Sequence, residues 1–262
     1  MLKLLLHLVV PALLLSESVS SMGLPVSSGP STESARLRGV QRAARDGMCT
    51  SMNEDAAIEA LGGEFASTYG EITPVGFSKL GQSLGLQSSD VFCDAGSGLG
   101  RAVLQAAAEF GVRRAYGIEY APSRHKLAVS RLEREVKPEL AERVHLIQGD
   151  CADAAIWEEH LDGCTVLFAS NLLFDDPLNN RLRSCIETCS TIRAVASLKL
   201  WPEGLLGFGE PQAVCCETSW SAPLVIHDLG GIQPHPGTPV YLYERFADGT
   251  CGEAAAATGS KV

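Results

Sequence analysis

Val91-Phe92-Cys93-Asp94-Ala95-Gly96-Ser97-Gly98-Leu99-Gly100-Arg101 is the stretch on which the reading of this chain turns. A short apolar run ends in an acid and three alternate glycines follow. From Arg101 to Phe110 the apolar Val103, Leu104 and Ala107 then recur at helical spacing. The pattern is strand, loop, helix. Glycines at 96, 98 and 100 let the main chain turn sharply and let a ligand lie against it with no Cβ in the way, and Ser97 sits between them. A dinucleotide fingerprint, G-x-G-x-x-G, needs a glycine or similarly small residue where Arg101 stands. Here the third glycine comes one position early. With Asp94 at the head of the loop, the spacing favours S-adenosyl-L-methionine over a nicotinamide dinucleotide.

Working outward, strand-length apolar runs alternate with helical patterns, the mark of an α/β domain with a mainly parallel sheet. Ala115 to Glu119 is the second strand, and Pro122 opens a helix carrying Leu127, Arg131, Leu132 and Glu135. Val144 to Gln148 is the third strand, followed by a short helix around Ala154 to His160. Thr165 to Ala169 is a fully apolar fourth strand, as expected where helices cover both faces. Pro177 to Cys189 is the next helix and Ala194 to Leu200 the fifth strand, with Ala213 to Thr218 and Val240 to Arg245 as closing strands. The fold expected is Rossmann-like, a mainly parallel seven-stranded sheet with helices on both faces.

Four points on this frame carry chemistry. Asp94 and the glycine loop are the first. Glu119, 25 positions beyond Asp94 at the end of the second strand, can accept hydrogen bonds from both ribose hydroxyls of a nucleoside; alone it would read as a surface glutamate. Asp150 ends the third strand and can accept from an adenine amino group beside Cys151, or else cap the short helix ahead. Asn171 and Phe174 follow the fourth strand, at the carboxyl edge where open α/β sheets bind ligands. The amide oxygen of Asn171 can accept from an acceptor nitrogen while Phe174 walls its channel; the competing reading is a local turn beside a core phenylalanine.

The bulk properties narrow the field. The chain has 262 residues, 21 Lys plus Arg against 31 Asp plus Glu, and a net charge of −10, so its averaged field repels phosphate backbones. No Lys/Arg block longer than Arg113-Arg114 offsets that, and nucleic acid is disfavoured as a ligand. The nine cysteines include no C-x-x-C and match no zinc template, which makes most of them buried thiols and leaves no metal site expected. Met1-Leu2-Lys3 and the apolar run Leu4 to Leu15 have the build of a signal peptide, too short for a comfortable membrane span. The expected organisation is a signal-like segment at 1–22, a Ser/Arg-rich linker or transit segment at 23–48, the main domain at 49–248 and a disordered tail at 249–262. Such a start implies the secretory pathway or a plastid, with no membrane span in the mature form. Oligomeric state and disulfide pairing stay open.

Taken in order, Tyr69-Gly70-Glu71, Val91 to Gly100, Val103-Leu104-Gln105-Ala106-Ala107-Ala108, Tyr116-Gly117-Ile118-Glu119, Gly149-Asp150, Asn171 with Phe174, and Ser219-Trp220 resemble the disruptor-of-telomeric-silencing family. These are the histone lysine methyltransferases that lack a SET domain, and the similarity runs roughly from Phe65 to Trp220. The resemblance implies a class I S-adenosylmethionine-dependent N-methyltransferase acting on a protein lysine. It implies that Tyr69 and Glu71 belong to a loop closing over the cofactor's methionine end, that Asn171 and Phe174 line a lysine channel, and that Ser219-Trp220 stands near its wall. It also implies a nuclear location, against the signal-like start. The chain departs from the family at Arg101, where Gln is usual, at Cys151, where an aromatic is usual, and at Pro223 to His227, where an aromatic pair is usual. It also lacks the basic segments with which nucleosome-active members grip DNA. Two alternatives therefore stand beside the histone reading: a non-histone or small-molecule amine methyltransferase, and a catalytically silent cofactor-binding protein.

Overall fold

The computed structural model describes residues 50–161, 163–221 and 237–246. The expected signal-like segment, the linker, the tail and Pro223 to His227 lie outside the described residues. Among those described, no helix is long and apolar enough to cross a membrane and no cluster of side chains could hold a metal ion.

The elements, in chain order, are α1 (Met52–Gly62), α2 (Pro74–Ser83), β1 (Val91–Ala95), α3 (Arg101–Glu109), β2 (Arg114–Glu119), α4 (Pro122–Glu135), α5 (Pro138–Ala141), β3 (Val144–Gln148), α6 (Ala154–His160), β4 (Val166–Ala169), α7 (Asp176–Thr188), β5 (Ala194–Ser197), β6 (Gln212–Cys216) and β7 (Thr238–Glu244). The strands form one seven-stranded sheet in the order β3-β2-β1-β4-β5-β7-β6. β1 lies between β2 and β4, with all pairings from β3 to β5 parallel, while β7 runs antiparallel to both β5 and β6. The expected sheet is present.

Strand alternation divides the core between the two faces. Val91, Cys93 and Ala95 of β1 pack with Trp157 of α6 and Leu178, Leu182 and Ile186 of α7. Phe92, one residue out of phase, packs on the other face with Phe77 and Leu80 of α2 and Val103 and Ala106 of α3. Every β1 side chain is buried, which is why the strand reads as a continuous apolar run up to Asp94. At the opposite end of β1, the carboxylate of Asp90 accepts from Gln87 N, Thr165 Oγ1 and the guanidinium of Arg193, joining β1 to the starts of β4 and β5.

α1, α2 and α5 carry little of the apolar periodicity that marks a helix. α1 is three alanines and three acids around Ile58 and Leu61, and it is secured by its cap: Ser51 Oγ accepts from Glu54 N while Glu54 Oε2 accepts from Ser51 N. α2 includes two glycines, and Thr73 caps it ahead of Pro74 at the first turn. β5 ends at Ser197, short of the expected Leu200, because Leu198 N and Lys199 N both turn to donate to Asn171 Oδ1, each at 3.1 Å.

Candidate active site

A cleft of about 910 Å³, counted out to its open mouth, lies over the carboxyl ends of β1, β2, β3 and β4. Tyr69, Glu71, Asp94, Gly96, Ser97, Gly98, Glu119, Asp150, Cys151 and Phe174 all line it, from five separate stretches of chain. Gly100 and Asn171 do not. Gly96, Gly98 and Gly100 all have positive φ, at 86°, 54° and 70°. Gly98 needs glycine twice over, since a Cβ there would also come within 2.8 Å of the Tyr69 ring. Gly100 is a correction to the expected cofactor-binding set: its left-handed conformation turns the chain into α3, and it faces Leu146 and Ala128 instead of the cleft.

Glu119 is buried at the end of β2. Its Oε2 accepts from Gly98 N and its Oε1 from Ala121 N, both at 2.8 Å, so the glycine loop is tied to the neighbouring strand by a charge-assisted bond. Each oxygen keeps a second lone-pair direction for a ligand hydroxyl. Burial raises the Glu119 pKa, opposed by these backbone donors. Asp94 is more exceptional. It is 3% exposed, and its Oδ1 is buried with no hydrogen-bond partner among the described residues. Burial, then the nearby Glu119 and Glu71 carboxylates, push its carboxyl up to about 8. A buried acid that lacks a partner in a cleft with two other acids fits a cationic ligand group.

Asp150 lines the far end. Its Oδ1 accepts from Ala152 N and its Oδ2 from Arg181 Nη1, at 2.8 and 2.7 Å. The cap of α6 is Asp153, not Asp150. Cys151 is buried beside it, and burial drives its thiol well above the ordinary range, so it acts as an apolar wall.

The near end is closed by the 69–71 loop. Tyr69 donates its hydroxyl to Glu71 Oε2 at 2.9 Å, and Glu71 Oε1 is ion-paired with Arg101. Burial, reinforced by Glu71, raises the Tyr69 phenol, which leaves it a donor at neutral pH; burial also raises Glu71 against the pull of Arg101. Arg124 lies 5.1 Å above the Tyr69 ring and donates to Ser67 O at 2.6 Å. The loop rests on the other end of the domain. Glu71 N donates to Ser219 Oγ at 3.1 Å, and a Cβ on Gly70 would sit 2.6 Å from the Trp220 ring. Ser219 and Trp220 therefore act on the site through this loop.

Asn171 requires the main correction. Its side chain is 0% exposed, and its Oδ1 already accepts from Ser197 Oγ, Leu198 N and Lys199 N while its Nδ2 donates to Asn179. No lone pair remains for an acceptor nitrogen, because the amide is spent on holding the ends of β4 and β5 together. The residue that reaches the cleft is its neighbour Ser170, flanked there by Phe168 and Phe174. Sequence reasoning passed over Ser170; alternation along β4 could have found it, since Phe168 and Ser170 share a face and Asn171 takes the opposite one. Arg101, Tyr120, Arg124, Thr68, Ile58 and Leu61 are further lining residues that carried no such signal.

The parallel sheet closed by an antiparallel β7 between β5 and β6, with its cleft at the carboxyl edge, defines a Rossmann-like class I methyltransferase fold. Residues 63–204 match the model of the histone methylation protein DOT1, and the chain belongs to that family. Two similar relatives are H3 lysine-79-specific histone-lysine N-methyltransferases. The one from Eremothecium gossypii is 31% identical over 148 residues, 52% of this chain and 25% of its own. The one from Kluyveromyces lactis is 29% identical over 142 residues, 50% of this chain and 24% of its own. The chain thus spans about a quarter of the length of these curated relatives. Among solved structures, the methyltransferase domain of bacterial CtHen1 is 11% identical with a TM-score of 0.49, covering 66% of this chain and 98% of that one. An RNA methyltransferase from Salinibacter ruber in complex with S-adenosyl-L-homocysteine is 22% identical with a TM-score of 0.44, covering 64% and 89%.

Proposed function

We propose that the protein is an S-adenosylmethionine-dependent N-methyltransferase whose acceptor is a lysine side chain of a protein. The observation that carries this reading is the buried, unpartnered Asp94 carboxylate beside the glycine loop and Glu119, in a chain of the DOT1 family. A ligand bearing a ribose and two cationic groups matches that donor and acceptor set. Glu119 would hold the ribose hydroxyls, Gly96 to Gly98 would lie against the amino-acid portion, Asp94 and Glu71 would face its positive charge, and Asp150 with Cys151 would bound the adenine.

The cofactor, when bound, supplies a methyl group on a positively charged sulfur, open to in-line displacement by a neutral amine. The chain's own contribution is alignment and exclusion of water. Phe168 and Phe174 give the acceptor side apolar walls, which favour the neutral form of a lysine amine. Ser170, which lines the same cleft, would offer its hydroxyl to an acceptor N–H. Tyr69, with its proton retained, is a donor and not a base.

The net charge of −10 and the lack of a basic block support a basic protein segment free of DNA over an intact nucleosome. Isothermal calorimetry of the full chain with S-adenosylhomocysteine tests the cofactor assignment, and absence of binding would overturn it. Labelled cofactor with nucleosomes, free histones or whole-cell extract tests the acceptor; labelling of small molecules alone would dismiss lysine. The signal-like start supports a secretory or plastid destination, whereas a histone acceptor requires the nucleus. Imaging a C-terminal fluorescent fusion of the full chain decides between them.

A further inference from the structure

We infer that Asn179, on the first turn of α7, is the positioning residue that sets the acceptor wall of the cleft, working with Asn171 and Lys199. This rests on the methyl-transfer reading above. Asn179 is 4% exposed and has spent its amide in full. Its Nδ2 donates to the carbonyls of Phe174 and Asp175, both at 2.8 Å, and its Oδ1 accepts from Asn171 Nδ2 at 2.6 Å. The Phe174 carbonyl takes a second bond from Lys199 Nζ at 3.0 Å, and Lys199 Nζ also pairs with Asp176 at 2.8 Å. Asn171 in turn receives Ser197, Leu198 and Lys199.

The loop from Ser170 to Asp175 is therefore gripped from both flanks, by α7 through Asn179 and by the end of β5 through Asn171 and Lys199. A buried amide pair in which both oxygens accept and both Asn179 donors are placed favours one arrangement of the loop. That arrangement fixes where Phe174 stands: its Cζ lies 3.2 Å from the point a Cβ on Gly96 would occupy. The loop thus sets the gap between the glycine turn and the acceptor wall. Of the groups expected to hold the cofactor, Glu119 and Asp94 sit on other strands with no bond to this frame, and Asp150 reaches α7 through the half-exposed side chain of Arg181.

The full-length Asn179→Asp variant keeps the shape and the acceptor for Asn171 but loses both donors to the loop. At saturating cofactor its methyl-transfer kcat should fall about 10- to 100-fold, the range expected when a reacting group is displaced by about 1 Å, with the Kd for S-adenosylhomocysteine changed less than about twofold. Lys199→Met should lower kcat less and in the same sense, with Lys199→Arg restoring it; this pair carries the test if Asn179→Asp does not fold. Independently of turnover, the chain labelled with 4-fluorophenylalanine should give a single sharp Phe174 fluorine line, identified by its loss in Phe174→Leu, that broadens or splits in Asn179→Asp or Lys199→Met. An unchanged line, or equal losses in cofactor binding and turnover, would overturn the inference. A wild-type chain that transfers no methyl group would defeat the functional reading, and the fluorine line would still decide this one.

Discussion

The two halves of the cleft are built by different means. On the β1–β3 side, the acids lining the cleft come from strand ends and the turns that follow them, and those that are hydrogen-bonded are held mainly by backbone amides close by in sequence or on the next strand: Glu119 by Ala121 and Gly98, Asp150 by Ala152. On the β4–β5 side, the polar groups nearest the cleft face inward. Asn171 is committed to residues 26 to 28 positions away, and it is Ser170 that lines the cleft. A binding half made by local rules can persist while the opposite wall is re-tuned by a few buried amides.

The contrast is broken most directly at Glu119. Glu119→Ala removes the proposed ribose acceptor and strands Gly98 N and Ala121 N, and should weaken S-adenosylhomocysteine binding by about 100-fold in calorimetry, the worth of two charge-assisted bonds. An affinity within a few-fold of wild type would mean that the two halves are not specialised as described. Asn171→Ala should act on the fold instead. Leaving its buried partners without an acceptor should cost about 2 kcal/mol of stability in denaturant melts, with cofactor affinity of the folded fraction largely kept. A fold of unaltered stability with lost acceptor turnover would return Asn171 to the chemistry.

Asp94 sharpens the comparison through pH. Its folded pKa is raised to about 8, so the folded protein holds a proton that the unfolded chain loses near 3.8. The stability it confers is full at acid pH and is lost as pH rises through about 8. Asp94→Asn keeps the shape without the ionisation, so the ligand-free variant should gain thermal stability over wild type at pH 8 relative to pH 5. A cationic ligand favours the charged carboxylate, so wild-type affinity for S-adenosylmethionine should rise about tenfold more than that of Asp94→Asn between pH 6 and 8. Parallel profiles would remove Asp94 from the cation site. The smallest effect belongs to Arg181→Ala. Its side chain is 45% exposed beside Asp150, and such surface pairs contribute about 0–1 kcal/mol, so affinity should shift by no more than a few-fold.

What could be read from the amino acids follows the same division. The strand, glycine loop and helix from Val91 to Phe110, the acid at 119 and the turn at 149–150 are written in spacings of two to four residues, and the molecule brings them together as expected. The central strands β1, β4 and β5 were legible because strands buried on both faces are largely apolar. α1 escaped notice because its stability comes from the Ser51–Glu54 cap and not from an apolar stripe. The face Asn171 takes follows from alternation along β4, but its partners, the Ser197 hydroxyl and the Leu198 and Lys199 amides just past β5, are announced by no local pattern. The 69–71 loop is similar: its support is Trp220, 150 positions away from Gly70.

That support has a consequence for how the protein is made. β6 leaves the ribosome before β7, its one strand partner among the described residues, so its place in the sheet is set only when residues 238–244 have emerged. The loop bearing Tyr69 waits with it, because Thr73 N and Glu71 N are held by Glu217 and Ser219 just past β6. One of the earliest pieces of the domain to be synthesised is thus among the last to be secured, and a nascent chain stalled before residue 238 would carry a finished glycine turn under an unfastened cover.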